Sequence, residues 1–121
     1  MAELWNGRQA AAVSNALTKL HQEFNGRGAR TTHTILQRDY VITFLEDMFT
    51  PVERTLVEAG DGASVQRLRA AFQRAMQERF TVAVEAILER KVIAFMSQTH
   101  IDPDLSVEIF VLAPQAPAAE A

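Results

Sequence analysis

The stretch Tyr40-Val41-Ile42-Thr43-Phe44-Leu45-Glu46 decides the fold. Aromatic and β-branched residues fill it, and their stiff side chains suit a pleated strand. Its two alternating sides are Tyr40, Ile42, Phe44 and Val41, Thr43, Leu45. Both are largely apolar, so the pattern predicts a strand covered on both faces. Working backward, Ala29 to Gln37 carries Thr31, Thr32, Thr34 and Ile35 and reads as its partner, joined through Gln37-Arg38-Asp39. A second pair of strand-like runs, Arg90 to Thr99 and Leu105 to Leu112, flanks His100-Ile101-Asp102-Pro103-Asp104. There proline presets a turn and the aspartates can accept from nearby backbone amides.

Helical signals fill the rest. Val13, Ala16, Leu17, Leu20 and Phe24 recur at the spacing of one helical face, with Asn6 as N-cap and Asn25-Gly26 as the stop. Thr50-Pro51-Val52-Glu53 is a capping box with proline at the first helical position, and the short helix that follows ends at Gly60. A longer helix is expected from about Ser64 to Glu89, with Val65, Leu68, Phe72, Met76, Phe80, Ala83 and Ile87 along one side. The order α-β-β-α-α-β-β, with hairpins rather than single strands between helices, predicts an α+β fold: an antiparallel sheet of two hairpins backed by three helices. Residues 1–112 are expected to form one domain, and the Pro/Ala-rich tail 113–121 to be disordered.

Composition narrows the function. Of the 121 residues 48% are hydrophobic and 22% charged, ordinary globular values that argue against a disordered or collagen-like chain. The net charge of −3 argues against a duplex-binding protein, which needs a basic face. With no cysteine, the chain has no disulfide, thiolate zinc site or cysteine nucleophile, which permits a reducing cytoplasm. No apolar run approaches the roughly 18–20 residues of a membrane span. Arg8 interrupts MAELWNGRQAAAV where a signal peptide needs its apolar stretch, so a soluble cytoplasmic chain is expected.

The chemistry-bearing residues are sparse. His21, His33 and His100 lack the close spacing of a metal-ligand pair, so neither a metal nor a cofactor is expected, and chelators should change nothing. Asp102-Pro103-Asp104 reads as a turn, Ser97 to His100 as a polar strand end, and Glu46-Asp47 as the end of a strand. No catalytic residue is assigned, and the chain is not expected to be an enzyme. Gly26, Arg27, Gly28 and Arg30 form a loop in which exposed amides and two guanidiniums can hold bicarbonate, phosphate or a carboxylate; the alternative is a capped helix end with solvated arginines. On the long helix Arg69 falls within the apolar stripe and Arg79 near its edge. A guanidinium there needs a buried carboxylate, a subunit interface or an anion.

Several stretches resemble the bacterial MpsC-like family, formerly a domain of unknown function. They are Ser14-Asn15-Ala16, Lys19-Leu20-His21, Gly26-Arg27-Gly28, Thr50-Pro51 with Glu53-Arg54-Thr55-Leu56, Glu58-Ala59-Gly60, Arg79-Phe80, Phe95-Met96-Ser97 and Asp102-Pro103-Asp104-Leu105. The resemblance covers about residues 10–112, with Ala29 standing where family members carry proline. The family's label refers to a Na⁺-translocating membrane-potential-generating system associated with sodium and inorganic-carbon uptake. The resemblance therefore implies an accessory, regulatory component with a membrane transporter as partner, and it carries over no catalytic residue.

Two other functions compete: a single-stranded RNA-binding sheet, disfavoured by the charge balance, and a small hydrolase or lyase using His33 or His100. The strands also predict a homodimer. Val92, Ala94 and Met96 alternate with Ile93 and Phe95, and Val107, Ile109 and Val111 with Phe110 and Leu112. One helical layer leaves such a sheet with a bare apolar face, which a second chain can cover unless the three helices divide themselves between both faces.

Overall fold

The computed structural model describes residues 5–115. Seven elements follow in chain order: α1 (Gly7–Asn25), β1 (Thr31–Gln37), β2 (Tyr40–Glu46), α2 (Pro51–Glu58), α3 (Gly62–Leu88), β3 (Val92–His100) and β4 (Leu105–Leu112). The two hairpins join into one antiparallel sheet of order β1-β2-β4-β3, an α+β fold with the two most apolar strands at its centre. Residues 116–121 of the expected disordered tail lie outside the described residues.

Local chemistry sets the helix ends. Asn6 accepts from the Gln9 amide while the Gln9 side chain accepts from the Asn6 amide, and Gly26 closes α1 at φ 81°, a left-handed conformation favourable to glycine. Thr50 and Glu53 form the capping box of α2. The long helix starts two residues earlier than its pattern suggests. Asp61 caps it, accepting from the Ser64 amide and hydroxyl, and these bonds, with Arg67 nearby, hold the Asp61 carboxyl below its ordinary range.

Pairing register sorts the strands into two faces. Val41, Thr43 and Leu45 of β2 and Ser106, Glu108, Phe110 and Leu112 of β4 are buried on one face. Both α1 and α3 pack there: Ser14 of α1 bonds Thr34 of β1, and Phe80 of α3 meets Phe95 of β3, which in turn meets Phe110. Val13, Leu17, Val41, Met76, Phe80, Val84, Leu88, Phe110 and Leu112 form the core, while α2 packs against α3.

Two expectations are corrected. Among the described residues the sheet is not covered on both faces: Ile35, Tyr40 and Met96 on the second face are 40%, 49% and 52% exposed, with Ile42, Phe44, Val107, Ile109 and Val111 half-buried beside them. The helices do not divide between the faces, so strand periodicity reports two apolar sides but only one helical layer. The buried line of α3 keeps Val65, Met76 and Phe80 of the expected stripe but turns toward Arg69, Gln73, Val84 and Leu88, with Phe72 and Ile87 packed beside the core and Leu68 left outside. Arg69 turns inward as its place in the stripe suggests, because Glu53 and the Met48 carbonyl receive it there.

Replacing Phe80, which is fully buried, by alanine is expected to cost about 3–5 kcal/mol in urea unfolding. Leu68→Ala, at a half-exposed position, should stay within about 0.5 kcal/mol; a comparable loss at Leu68 would contradict its place outside the buried line.

Candidate binding surfaces

The Gly-Arg-Gly loop occupies the handover from α1 to β1. Gly26 supplies the left-handed turn, and Gly28 lets the chain pass close to α1, since a Cβ there would lie 3.0 Å from the Thr18 backbone oxygen and methyl. Arg27 between them turns to Asp47, donating to its carbonyl at 2.9 Å and its carboxylate at 3.0 Å. Asp47, itself left-handed at φ 58°, ends β2 and also accepts from Arg54 at 3.2 Å. The Arg30 side chain is exposed, and its amide donates to the Glu46 carbonyl. The structure thus places a carboxylate of the chain itself on Arg27 and leaves Arg30 apart from it, beside Glu46, Asp47 and Asp104 in a shallow depression.

The two arginines of α3 part company. Arg69 is buried and donates from Nε and Nη2 to both oxygens of Glu53, at 2.8 and 2.7 Å, and from Nη2 to the Met48 carbonyl at 3.0 Å. Of the alternatives open to it, this is the buried pair. The same Glu53 carboxylate closes the capping box of α2, so one side chain fixes the start of α2 and its docking on α3. Arg79 is exposed and stacks over Phe24, 4.4 Å from the ring centroid, where it borders a groove between α1 and α3.

The remaining candidates serve the fold. His100 Nδ1 bonds the Pro103 carbonyl at 2.9 Å, and Asp104 accepts from the Phe49 amide at 2.8 Å, so the Asp-Pro-Asp segment is a turn that also anchors the chain entering α2. His33 lies opposite Phe44 on the uncovered sheet face. Among the described residues no three His, Asp or Glu side chains gather as metal ligands, and no helix is long and apolar enough to cross a membrane.

One pair escaped the sequence reading. His21 of α1 and Glu108 of β4 are both fully buried and bonded Nε2 to Oε2 at 2.8 Å, with the imidazole beside Phe72 and Phe80. The available signal was Glu108 itself, the one charge in the otherwise apolar Leu105-Ser106-Val107-Glu108-Ile109-Phe110-Val111-Leu112. It belongs to a polar row across all four strands, Thr34, Thr43, Glu108 and Ser97, in which Thr34 also links Ser14 to Thr43 at 2.7 and 2.9 Å.

Among the described residues no element covers the sheet face away from the helices. Ile42 of β2 pairs with Ile109 of β4 at its centre, Ile35 and Met96 flank them, and Phe44, Val107, Tyr40 and Val111 extend the apolar area along the strands. Set against known proteins, the chain matches the family model described as Na⁺-translocating membrane potential-generating system (MpsC) over residues 6–114. No curated relative and no solved structure matches it.

The Glu53–Arg69 pair carries a prediction. Arg69→Met leaves a buried carboxylate without its counter-charge and should cost about 3–5 kcal/mol in denaturant unfolding. Adding Glu53→Gln should recover part of that loss; a double variant as unstable as the two single losses combined would contradict the coupling.

Proposed function

The chain belongs to the MpsC family, and from that membership and its bare sheet face we propose that it is a soluble, non-catalytic accessory protein. It serves a sodium or inorganic-carbon membrane system from the cytoplasmic side and works as a homodimer. The uncovered face carries the reading. Soluble monomers rarely leave apolar patches beyond a few hundred Å² open to water, and larger ones mark interaction sites. Here the whole face, with polar residues on its outer strands and the apolar ones at its centre, has a footprint on the order of 500 Å², from strands of seven to nine residues at about 3.3 Å each set roughly 4.8 Å apart. That is the scale of one side of a specific protein interface, about 800 Å² of accessible surface once side-chain relief is counted.

A second copy is the natural cover. The face is self-complementary in chemistry, apolar at the centre with Gln37, His33, Gln98 and His100 toward its outer strands, and a two-fold axis near the Ile42–Ile109 pair sets like against like. Two such sheets stack about 10 Å apart with interdigitating side chains. A non-catalytic role is supported by the duties the polar groups already have: Glu53 and Arg69 dock a helix, Asp104 and His100 hold a turn, and Arg27 holds Asp47. The helical side, with the groove between α1 and α3, then stays free for the membrane partner.

Light scattering across micromolar concentrations should give twice the 13.5 kDa chain mass. Ile42→Lys with Ile109→Lys should give a folded monomer, judged by an unchanged far-ultraviolet spectrum. A wild-type monomer overturns the dimer. For the accessory role, capture from detergent-solubilised native membranes should recover subunits of a sodium or inorganic-carbon transporter with the wild-type chain. Recovery of soluble proteins alone overturns it.

A further inference from the structure

Strand β3 lies at one edge of the sheet, and its backbone is only half used. The Ala113 amide bonds the Lys91 carbonyl and the Leu112 amide bonds the Asp39 carbonyl, so odd-numbered residues of β4 face β3 and even-numbered ones face β2. The β3 residues opposite those odd positions, Ala94, Met96, Gln98 and His100, therefore commit their backbone groups to β4. Phe95, Ser97 and Thr99 turn theirs to the free edge. Among the described residues the only partner these groups have there is the Gln66 side-chain amide, which donates to the Thr99 carbonyl at a long 3.4 Å. From Val92 to His100 the strand also carries no proline, lysine, arginine or carboxylate, the residues that usually guard an edge against pairing.

Helix α3 leaves room beside this edge. Gln66, Ala70, Gln73 and Gln77 recur at helical spacing along its side toward β3. Between helix and strand lie a crevice of about 80 Å³ next to Ser97 and Thr99 and an opening of about 240 Å³ next to Phe95 and Ser97. Gln73 lines both, is 5% exposed, and its buried Oε1 has no donor among the described residues. Arg74 borders the wider opening, exposed and without an ion pair among the described residues, and no carboxylate lines either space. The opposite edge differs: beside β1 the polar groups satisfy one another, Ser14 with Thr34 and Thr18 with Thr32.

We propose that the edge of β3 binds an extended acidic segment of a partner polypeptide, which joins the sheet as a fifth strand beside α3. Main-chain bonds to Phe95, Ser97 and Thr99 supply affinity, and side chains on alternate sides of the added strand supply selectivity. Every second side chain faces α3. A small hydroxyl side chain fits the narrower crevice and donates to Gln73 Oε1, and a carboxylate two residues along meets Arg74 at the wider opening. The intervening side chains fall beside Met96, 52% exposed on the open sheet face, where apolar ones suit. A second copy fits less well, because pairing two β3 edges about an axis near Ser97 brings two Arg74 guanidiniums to one junction whose lining holds no carboxylate. The site uses the edge of the sheet and not its open face, so it goes beyond the dimer reading and does not rest on it.

The probe is a short fluorescein-labelled peptide in which valines alternate with serine, glutamate and serine, titrated into the full chain by fluorescence anisotropy. Saturating peptide should slow amide hydrogen exchange at Phe95, Ser97 and Thr99 by about tenfold or more, while Thr32, Thr34 and Leu36 of β1 keep their rates. Lysine in place of the peptide's glutamate should weaken binding about tenfold, and Arg74→Glu should reverse that preference. Ser97→Pro removes an outward N–H that the β3–β4 ladder does not use, so it should abolish binding at a nearly unchanged melting temperature. No binding at millimolar peptide, protection on β1 instead of β3, or unchanged affinity in Ser97→Pro or Arg74→Glu overturns the proposal. A halved particle mass for Ser97→Pro in light scattering also overturns it, since a second copy then occupies the edge.

Discussion

Four strands, two of them apolar on both sides, meet a single layer of helices. Most of the architecture follows from that mismatch. Placing β2 and β4 side by side puts the strongest apolar alternation at the centre of the sheet, where each strand has a hydrogen-bonding neighbour on either edge. α1 and α3 then bury one side of that centre through Val41, Leu45, Phe110 and Leu112. The other side, around Ile42 and Ile109, keeps its apolar character and lacks a cover among the described residues. The proposed dimer would bury this second face.

Beneath the helices the core is polar in a controlled way. Ser14, Thr34 and Thr43 satisfy one another in a chain of short hydrogen bonds, Thr18 bonds Thr32 at 2.7 Å, and Arg69 is held by both oxygens of Glu53. Such bonds add little net stability, but a misregistered helix would leave the same groups buried and unpaired at about 1–3 kcal/mol each. They therefore fix where α1 and α3 sit along the strands. His21 and Glu108 share this role through their buried Nε2–Oε2 bond.

Element types and order were readable because each rests on local chemistry: Thr50-Pro51-Val52-Glu53 caps a helix wherever it occurs, and Tyr40 to Glu46 has no plausible helical face. The family was readable from short residue runs spread along the chain, and the model match extends over residues 6–114. What escaped depends on contacts between distant residues. Arg69 is 16 residues from Glu53 and His21 is 87 from Glu108, and no local pattern announces either pair. The inward turn of Gln73 on α3 escaped for the same reason, since it lies over Ser97 and Thr99 of the distant strand β3. Exposure of one sheet face was half legible: alternation revealed two apolar sides, and only the packing of all three helices revealed which side lacked cover.

The most direct examination of sheet-to-sheet pairing uses the absence of cysteine from the chain. Single cysteines introduced by Gln37→Cys, at the margin of the open face, and Lys19→Cys, on the helical side, can each carry a nitroxide label. Pairing through the open faces predicts dipolar coupling between the two Gln37-position labels of a dimer. Their separation should be well defined and shorter than that of the Lys19-position labels, which stand behind a sheet and a helix layer on each protomer. No coupling at position 37, or a shorter distance at position 19, would contradict it.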